Sequence, residues 1–260
     1  MPVTITTYNV LATGYIRPEW YPHTPPELLT PAVRLPLLTS HIASLASDIF
    51  CLQEVDALTF QAIDRELSPD GYTGIWTQKG QGKPDGCAAF VCTAAVSLVD
   101  IQPILYADAF EDQPESGHVA QVLHLLIDGF RLGVANTHLK WDAGSAPLER
   151  RYGQRQVEIL LEALAERADT ADTWILCGDL NATPDNLIIR TLQHAGFTAT
   201  HAAPTGNQNG WLKQLDYLFY KGALHAKPEP LPEITATTPL PGPDQPSDHL
   251  AMTARFTPLP

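Results

Sequence analysis

The sequence predicts an α/β fold in which two packed β-sheets, mostly antiparallel, are covered by helices within a single domain over residues 1–260. Three observations predict it. Apolar stretches with the period of strands alternate with stretches of helical period. Five strand-like runs between 72 and 137 follow one another, several joined by short polar turns. Finally, 260 residues with 44% hydrophobic content suffice for one well-filled core.

Taken in order, Val3 to Val10 alternates apolar and polar residues and reads as a strand. Pro31 to Ala46 carries Val33, Leu37, Leu38, Ile42 and Leu45 near helical spacing. Asp48 to Gln53 is a short apolar run with the length of a buried strand, followed by a helix over roughly 57 to 67 that closes shortly before Gly71. Strands are expected near 72–77, 86–93, 96–104, 119–127 and 130–137. Gln154 to Ala168 is amphipathic through Val157, Leu160, Leu161 and Leu164, and feeds a strand over Thr173 to Cys177. A helix at 185–195 and strands at Leu215–Tyr220 and Leu250–Phe256 complete the set. The segment 228–246 holds seven prolines, which continue neither a helix interior nor a sheet ladder, and is expected to be an ordered surface loop.

The net charge of −13 offers no bulk basic field for a long nucleic acid, so a small or short substrate fits better, although a local basic pocket can still serve an RNA. Cys51, Cys87, Cys92 and Cys177 form no CxxC pair and read as reduced, buried thiols. The start, MPVTITTYNV, has no basic region followed by an apolar stretch, and no run approaches about 18 apolar residues. A soluble, cytoplasmic protein is expected, with no membrane and no protein partner.

Four clusters sit where strands end. In Leu176-Cys177-Gly178-Asp179-Leu180-Asn181 an apolar run stops at a glycine, an acid and an amide; in an extended segment Asp179 and Asn181 point the same way and can hold one water between them. An Asx turn explains the same residues equally well. Leu52-Gln53-Glu54 places a carboxylate where a buried strand emerges, and one Glu with substrate phosphate suffices for Mg²⁺, which keeps several waters. Asn9, ending the first strand, is a candidate beside the same metal. In Pro246-Ser247-Asp248-His249, His249 is a base or phosphate ligand if Asp216 bonds its other ring nitrogen, and Asp248 is a further metal candidate. In Asn136-Thr137-His138-Leu139-Lys140-Trp141-Asp142, a protonated His138 and Lys140 can stabilise phosphoryl charge. The other histidines (23, 41, 118, 124, 194, 201 and 225) read as scaffold or surface.

These clusters, in this order, resemble the endonuclease/exonuclease/phosphatase superfamily, and within it the nocturnin and carbon-catabolite-repression deadenylase branch. Tyr-Asn-Val-Leu at 8–11, the run at 48–56, Pro-Asp-Gly-Cys-Ala at 84–88, Thr-His-Leu at 137–139, Leu-Asp-Tyr at 215–217 and Pro-Ser-Asp-His-Leu at 246–250 carry the resemblance across residues 3 to 256. It implies a four-layer α/β sandwich of two mixed sheets between helices. It also implies a Mg²⁺-dependent phosphoester hydrolase, with Mn²⁺ a possible substitute. Glu54 is then the metal ligand with Asn9 beside it, Asp179 and Asn181 position the attacking water, His138 and His249 bind the scissile phosphate, and Asp216 orients His249.

Substrate choice divides the branch. Lys79 and Lys140 fall where nocturnin has lysines near a 2′-phosphate, but Asp142 replaces its nearby arginine. Trp211 falls where deadenylases stack an aromatic ring on adenine, while their partner proline is Ala143 here. Such stacking supplies about 1–3 kcal/mol per base, and a tryptophan packed under the 204–214 loop is an equal alternative. The expected substrate is a nucleotide phosphomonoester or a short RNA 3′ end, with the small nucleotide favoured. A 3′→5′ exoribonuclease is the alternative, and a non-catalytic binding scaffold a remote one.

Overall fold

The computed structural model describes residues 2–208 and 210–259. Its centre is two six-stranded sheets. The first runs β13 (Leu224–Pro228), β14 (Met252–Pro258), β1 (Val3–Asn9), β2 (Ile49–Asp56), β4 (Asp85–Cys92) and β3 (Tyr72–Gln78). The second runs β5 (Ser97–Leu105), β6 (Val119–Ile127), β7 (Phe130–His138), β8 (Thr173–Asp179), β12 (Asp216–Lys221) and β9 (Thr198–Ala199). Both are mixed sheets: β1–β2 and β7–β8 are parallel and the other pairs antiparallel.

Four layers follow from what each face buries. Between the sheets lie Ile5, Ile49, Cys51 and Ala89 from one side and Leu123, Val134, Ile175, Cys177 and Leu218 from the other. The outer face of the first sheet packs Phe50, Leu52 and Phe90 against Leu38 and Ile42 of α1 (Pro31–Ser44) and Ile63 and Leu67 of α2 (Ala57–Leu67). The outer face of the second packs Leu176 and Phe219 against Val157, Leu160 and Leu164 of α3 (Tyr152–Ala165) and Ile188 and Leu192 of α4 (Leu187–His194). The predicted sandwich is therefore present, with both middle strands buried on two faces. That is why β2 and β8 read as continuous apolar runs.

The boundaries differ in instructive places. β2 continues past Gln53 to Asp56, whose side chain accepts from the Thr59 N–H at 2.8 Å and caps α2. Three turns of 3₁₀ helix occupy 13–29. β13 and the hairpin β10 (Gly206–Gln208) with β11 (Trp211–Lys213) also escape the sequence reading. The proline-rich segment is a loop, tied down where Asn207 Nδ2 donates to the carbonyls of Thr235, Ala236 and Thr238. Cys51, Cys87 and Cys177 are buried free thiols as expected, while Cys92 is only half-buried.

Candidate active site

Strand register assembles the site. Asp179, last in β8, pairs with His138 at the end of the parallel neighbour β7 and with Asp216 at the start of the antiparallel neighbour β12, so three candidate residues stand in one row. Close approach of β7 and β8 at this row requires Gly178, where an added Cβ would lie 1.8 Å from the Thr137 carbonyl oxygen and φ is +139°. In the other sheet Asn9 pairs with Gln53, and the β2–β4 register slips between Leu52 and Val55. Glu54 lies in that bulge at φ +57°, which re-aims its side chain to the strand ends.

Beneath the site the sheets are joined by amides. Gln53 Nε2 donates to Asn136 Oδ1 at 2.8 Å, and Asn136 Nδ2 donates to the Ala88 carbonyl at 3.0 Å and to Gln121 Oε1 at 3.1 Å, all buried. Arg34 of α1 is also buried, and donates to the carbonyls of Val10, Leu11 and Pro246, tying the exit of β1 to the loop that carries His249. Neither device was evident in the sequence.

Asn9 is the hinge between sheets. Its Nδ2 donates to Glu54 Oε1 at 3.1 Å and to Asp179 Oδ2 at 2.9 Å, while its Oδ1 accepts from the Leu11 N–H at 3.0 Å. Asn9 thus orients two carboxylates. The Leu11 N–H takes one of the two lone pairs of its oxygen, and Asn9 stays a candidate beside the metal, as in the sequence. Asp179 and Asn181 do converge, but not through an extended segment: Asn181 has φ +49°, and its N–H donates to Asp179 Oδ1 at 2.9 Å. The Asx turn and the site are one structure. Asn181 Nδ2 then lies 3.1 Å from His138 Nε2 and donates to the Leu139 carbonyl at 2.9 Å.

The two imidazoles are held in opposite states. Burial alone would depress His249, but Asp216, Asp248 and Asp179 outweigh it and hold the ring well above its ordinary value. Its Nδ1 meets Asp216 Oδ2 at 2.7 Å, an oxygen that also accepts from the Thr205 hydroxyl at 2.6 Å, and its Nε2 lies 3.8 Å from Asp179 Oδ2. His138 is pushed well below its ordinary value by burial and by Lys79, His118 and His249. Lys79 Nζ lies 3.2 Å from His138 Nδ1 and 2.6 Å from Asp85 Oδ2. The Lys79 ammonium and the Asn181 amide nitrogen thus approach as donors, one at each ring nitrogen. His138 is therefore held neutral, not as the imidazolium the sequence suggested.

The carboxylates are strained electrostatically. Burial, and then the neighbouring Asp216, hold Asp179 up to about 7 against the opposing pull of His249, Asn181 and Asn9. Burial raises Glu54 as well, with Lys79 pulling it down. Glu54 accepts from Asn9 and, at 2.9 Å, from the Ala12 N–H, and has no cation within ion-pair distance among the described residues. Asp216 Oδ1 is buried and unpartnered. Oxygen donors of uncompensated charge suit a hard divalent cation, so the residues fit Mg²⁺ or Mn²⁺. Glu54 and Asp248 face the same cavity, and one donor atom each of Asp179, Asp216 and His249 lies within 4.8 Å of the others.

All this opens on a cavity of about 700 Å³ lined by Glu54, Lys79, His138, Lys140, Asp179, Asn181, Trp211, Asp248 and His249 among others. Asp216 stays behind His249. Three tryptophans line the same cavity while still exposed: Trp211 at 73%, Trp141 at 60% and Trp20 at 46%. Trp211 is thus not packed under its loop. Lys140 Nζ lies 5.3 Å from the Tyr152 ring centre, and Asp142 accepts from the Tyr152 and Gly153 N–H groups, starting α3. His118, read as scaffold, lines the cavity, as do Tyr15, which donates to Asp85 at 2.6 Å, and Tyr21, which donates to Asp248 at 3.0 Å. Their partners lie at least 70 residues away in sequence for the two tyrosines, so no local pattern signals them.

Facing mixed sheets with carboxylates, amides and imidazoles gathered at their strand ends define a phosphoester hydrolase. The chain belongs to the endonuclease/exonuclease/phosphatase family, whose sequence model matches residues 6–249. Carbon catabolite repressor protein 4 homolog 4 of Arabidopsis thaliana is 26% identical over 323 aligned residues, covering 97% of this chain and 76% of the relative. The CCR4-Not complex 3′-5′-exoribonuclease subunit Ccr4 of Aspergillus oryzae is 28% identical over 205, covering 69% of this chain and 27% of the subunit. The chain therefore spans about a quarter of that subunit's length. Among solved structures, ANGEL2, a 2′,3′-cyclic phosphatase in complex with adenosine-2′,3′-vanadate, superposes at a TM-score of 0.82 with 20% identity, over 98% of this chain and 95% of that one. The human Nocturnin catalytic domain with bound sulfate superposes at 0.77 with 24% identity, over 99% and 94%. These likenesses establish the fold. No helix among the described residues is long and apolar enough to cross a membrane.

Proposed function

We propose that the protein is a Mg²⁺-dependent hydrolase of a nucleotide phosphomonoester or a short RNA 3′ end, with the small nucleotide favoured. The observation that carries this reading is the convergence of Glu54, Asp179, His138 and His249 on one cavity rimmed by Trp20, Trp141 and Trp211. Glu54 and Asp248 would hold the metal, which supplies Lewis-acid neutralisation of phosphoryl charge when bound. Asp179, made more basic by burial and by the neighbouring Asp216, is suited to take a proton from water, and Asn181 holds the turn that presents it. The protonated His249 Nε2–H donates toward a phosphoryl oxygen, neutral His138 lines the phosphate subsite, and Lys79 and Lys140 add positive charge. Trp211 offers a platform for the base. The free thiols suit a reducing, cytoplasmic setting.

Two of the exposed tryptophans, Trp141 and Trp211, also favour a second reading, removal of nucleotides from an RNA 3′ end in the manner that the Aspergillus relative's name describes. A panel of NADPH, 2′-AMP, 3′-AMP, adenosine 2′,3′-cyclic phosphate and oligo(A), assayed with Mg²⁺ and with Mn²⁺, separates the two. Phosphomonoester turnover abolished by Asp179→Ala is expected. Turnover that ignores that substitution sinks the assignment, and cleavage of oligo(A) alone hands the site to the exonuclease reading.

A further inference from the structure

The wall of the cavity beside His138 contains a second imidazole whose tautomer the surrounding hydrogen bonds determine. His118 lies edge-on to His138, with ring centres 5.7 Å apart at 85°. Its Nδ1 is 3.1 Å from the hydroxyl oxygen of Ser116. That hydroxyl's own proton is committed elsewhere: Ser116 Oγ lies 2.6 Å from Asp108 Oδ2, a separation at which a hydroxyl and a carboxylate must share a hydrogen. Gln156 Nε2 donates to both Asp108 Oδ2 at 2.6 Å and Ser116 Oγ at 2.9 Å, and the Ser116 N–H donates to Asp108 Oδ1 at 2.7 Å, so both carboxyl oxygens act as acceptors. The oxygen facing His118 is therefore an acceptor, and Nδ1 carries the ring's hydrogen.

Nε2 is then a bare acceptor. It takes no hydrogen bond among the described residues, yet it is not one of the sealed unpartnered atoms of the interior. It is open to the cavity that His118 lines. The ring is also held neutral there: burial, followed by the positive charges of Lys79, Lys83 and Lys140, depresses it to about 2. Lys79, Lys83 and Lys140, which line the cavity and act on His118, only donate. Such donors suit phosphate oxygens. An acceptor set among them suits a donor attached close to the phosphate.

We propose that His118 Nε2 accepts a hydrogen bond from a substrate hydroxyl vicinal to the scissile phosphoester, so that the site selects a ribose, with its adjacent hydroxyl, over a deoxyribose. The inference deepens the nucleotide reading and rests on it for the place of the phosphate beside His138. It also names His118 as a binding residue, contacting substrate but taking no part in proton transfer.

Two pairs of substrates test it: 3′-AMP against 2′-deoxy-3′-AMP, and β-glycerophosphate against isopropyl phosphate, which lacks the neighbouring hydroxyls and, like its partner, any base. In each pair kcat/KM is expected to favour the hydroxyl-bearing member about tenfold or more. His118→Phe is expected to bring both ratios to about one, and His118→Gln, which keeps an acceptor, to restore part of them. If the ring only packs, His118→Phe slows both members equally and the ratios survive, which overturns the proposal. ¹⁵N NMR of the intact protein reads the tautomer without any variant: an Nδ1–H ring is expected, and an Nε2–H ring overturns it. A hydroxyl preference in the glycerophosphate pair with 3′-AMP no better than glycerophosphate sinks the nucleotide reading alone. Efficient 3′-AMP turnover with no hydroxyl preference in either pair sinks the His118 inference alone.

Discussion

Asp179 and His118 pull stability in opposite directions with pH. Asp179 is raised from 3.8 to about 7 in the folded, metal-free protein, so its favourable contribution is present below about pH 4 and lost as pH rises through 7. Asp179→Asn removes that loss, and is expected to be more stable than the wild type in EDTA at pH 8 by up to about 4 kcal/mol, with no gain at pH 4. Urea denaturation at the two pH values checks it; equal stability at both refutes it. His118, lowered from 6.5 to about 2, acts the other way: full stability above pH 6.5 is lost as pH falls toward 2. His118→Gln should therefore suffer less on acidification from pH 7 to 5 by about 2 kcal/mol, a difference the same denaturation series reads. The strand-end acids and histidines were legible because an apolar run that stops at Asp, Glu or His is a local pattern. His118, Asp85 and Tyr15 were not, since their roles arise from side chains that meet only when the chain folds.

Secondary-structure elements explain both the successes and the misses. Strands and helices of five or more residues were mostly found because burial imposes period 2 or 3.6 on them. The 3₁₀ turns over 13–29 and the strands β9, β10 and β11, two or three residues each, are too short to show a period, although they supply Trp20, Tyr21 and Trp211 to the cavity. The bulge that turns Glu54 was invisible for another reason: it is a mismatch between β2 and β4, a property of the pair. Pairing also sets the tolerance of the site row. Gly178→Ala drives a Cβ into the Thr137 carbonyl and strains φ, so a loss of more than about 4 kcal/mol or failure to yield folded protein is expected by thermal melting. A melting temperature near wild type would show that β7 and β8 can separate there without harm.

Across the whole molecule, the site exists only because two sheets hold a fixed relation. Glu54 and Asn9 belong to one, His138, Asp179 and Asp216 to the other, and the buried Gln53–Asn136 bond joins them directly below. Asn136→Ala leaves the Gln53 amide and the Ala88 carbonyl without that partner, at a cost of about 2–4 kcal/mol. It is also expected to lower kcat, because Glu54 moves relative to Asp179. The sandwich was legible from composition and element order, and the site from its motifs, but the amide bridge was not, since a buried Gln or Asn looks like any polar residue until its partner across the core is known. The bulk charge of −13 coexists with cavity-lining Lys79, Lys83, Lys140 and Lys213, a local field that composition conceals. The most direct test of the central claim is a Mg²⁺ titration of phosphate release from 3′-AMP by the wild type and Glu54→Gln. A saturable metal requirement is predicted, with kcat/KM reduced about a thousandfold and the requirement shifted to higher Mg²⁺ in the variant. Hydrolysis that persists in EDTA, or a variant with the wild-type metal response, contradicts it.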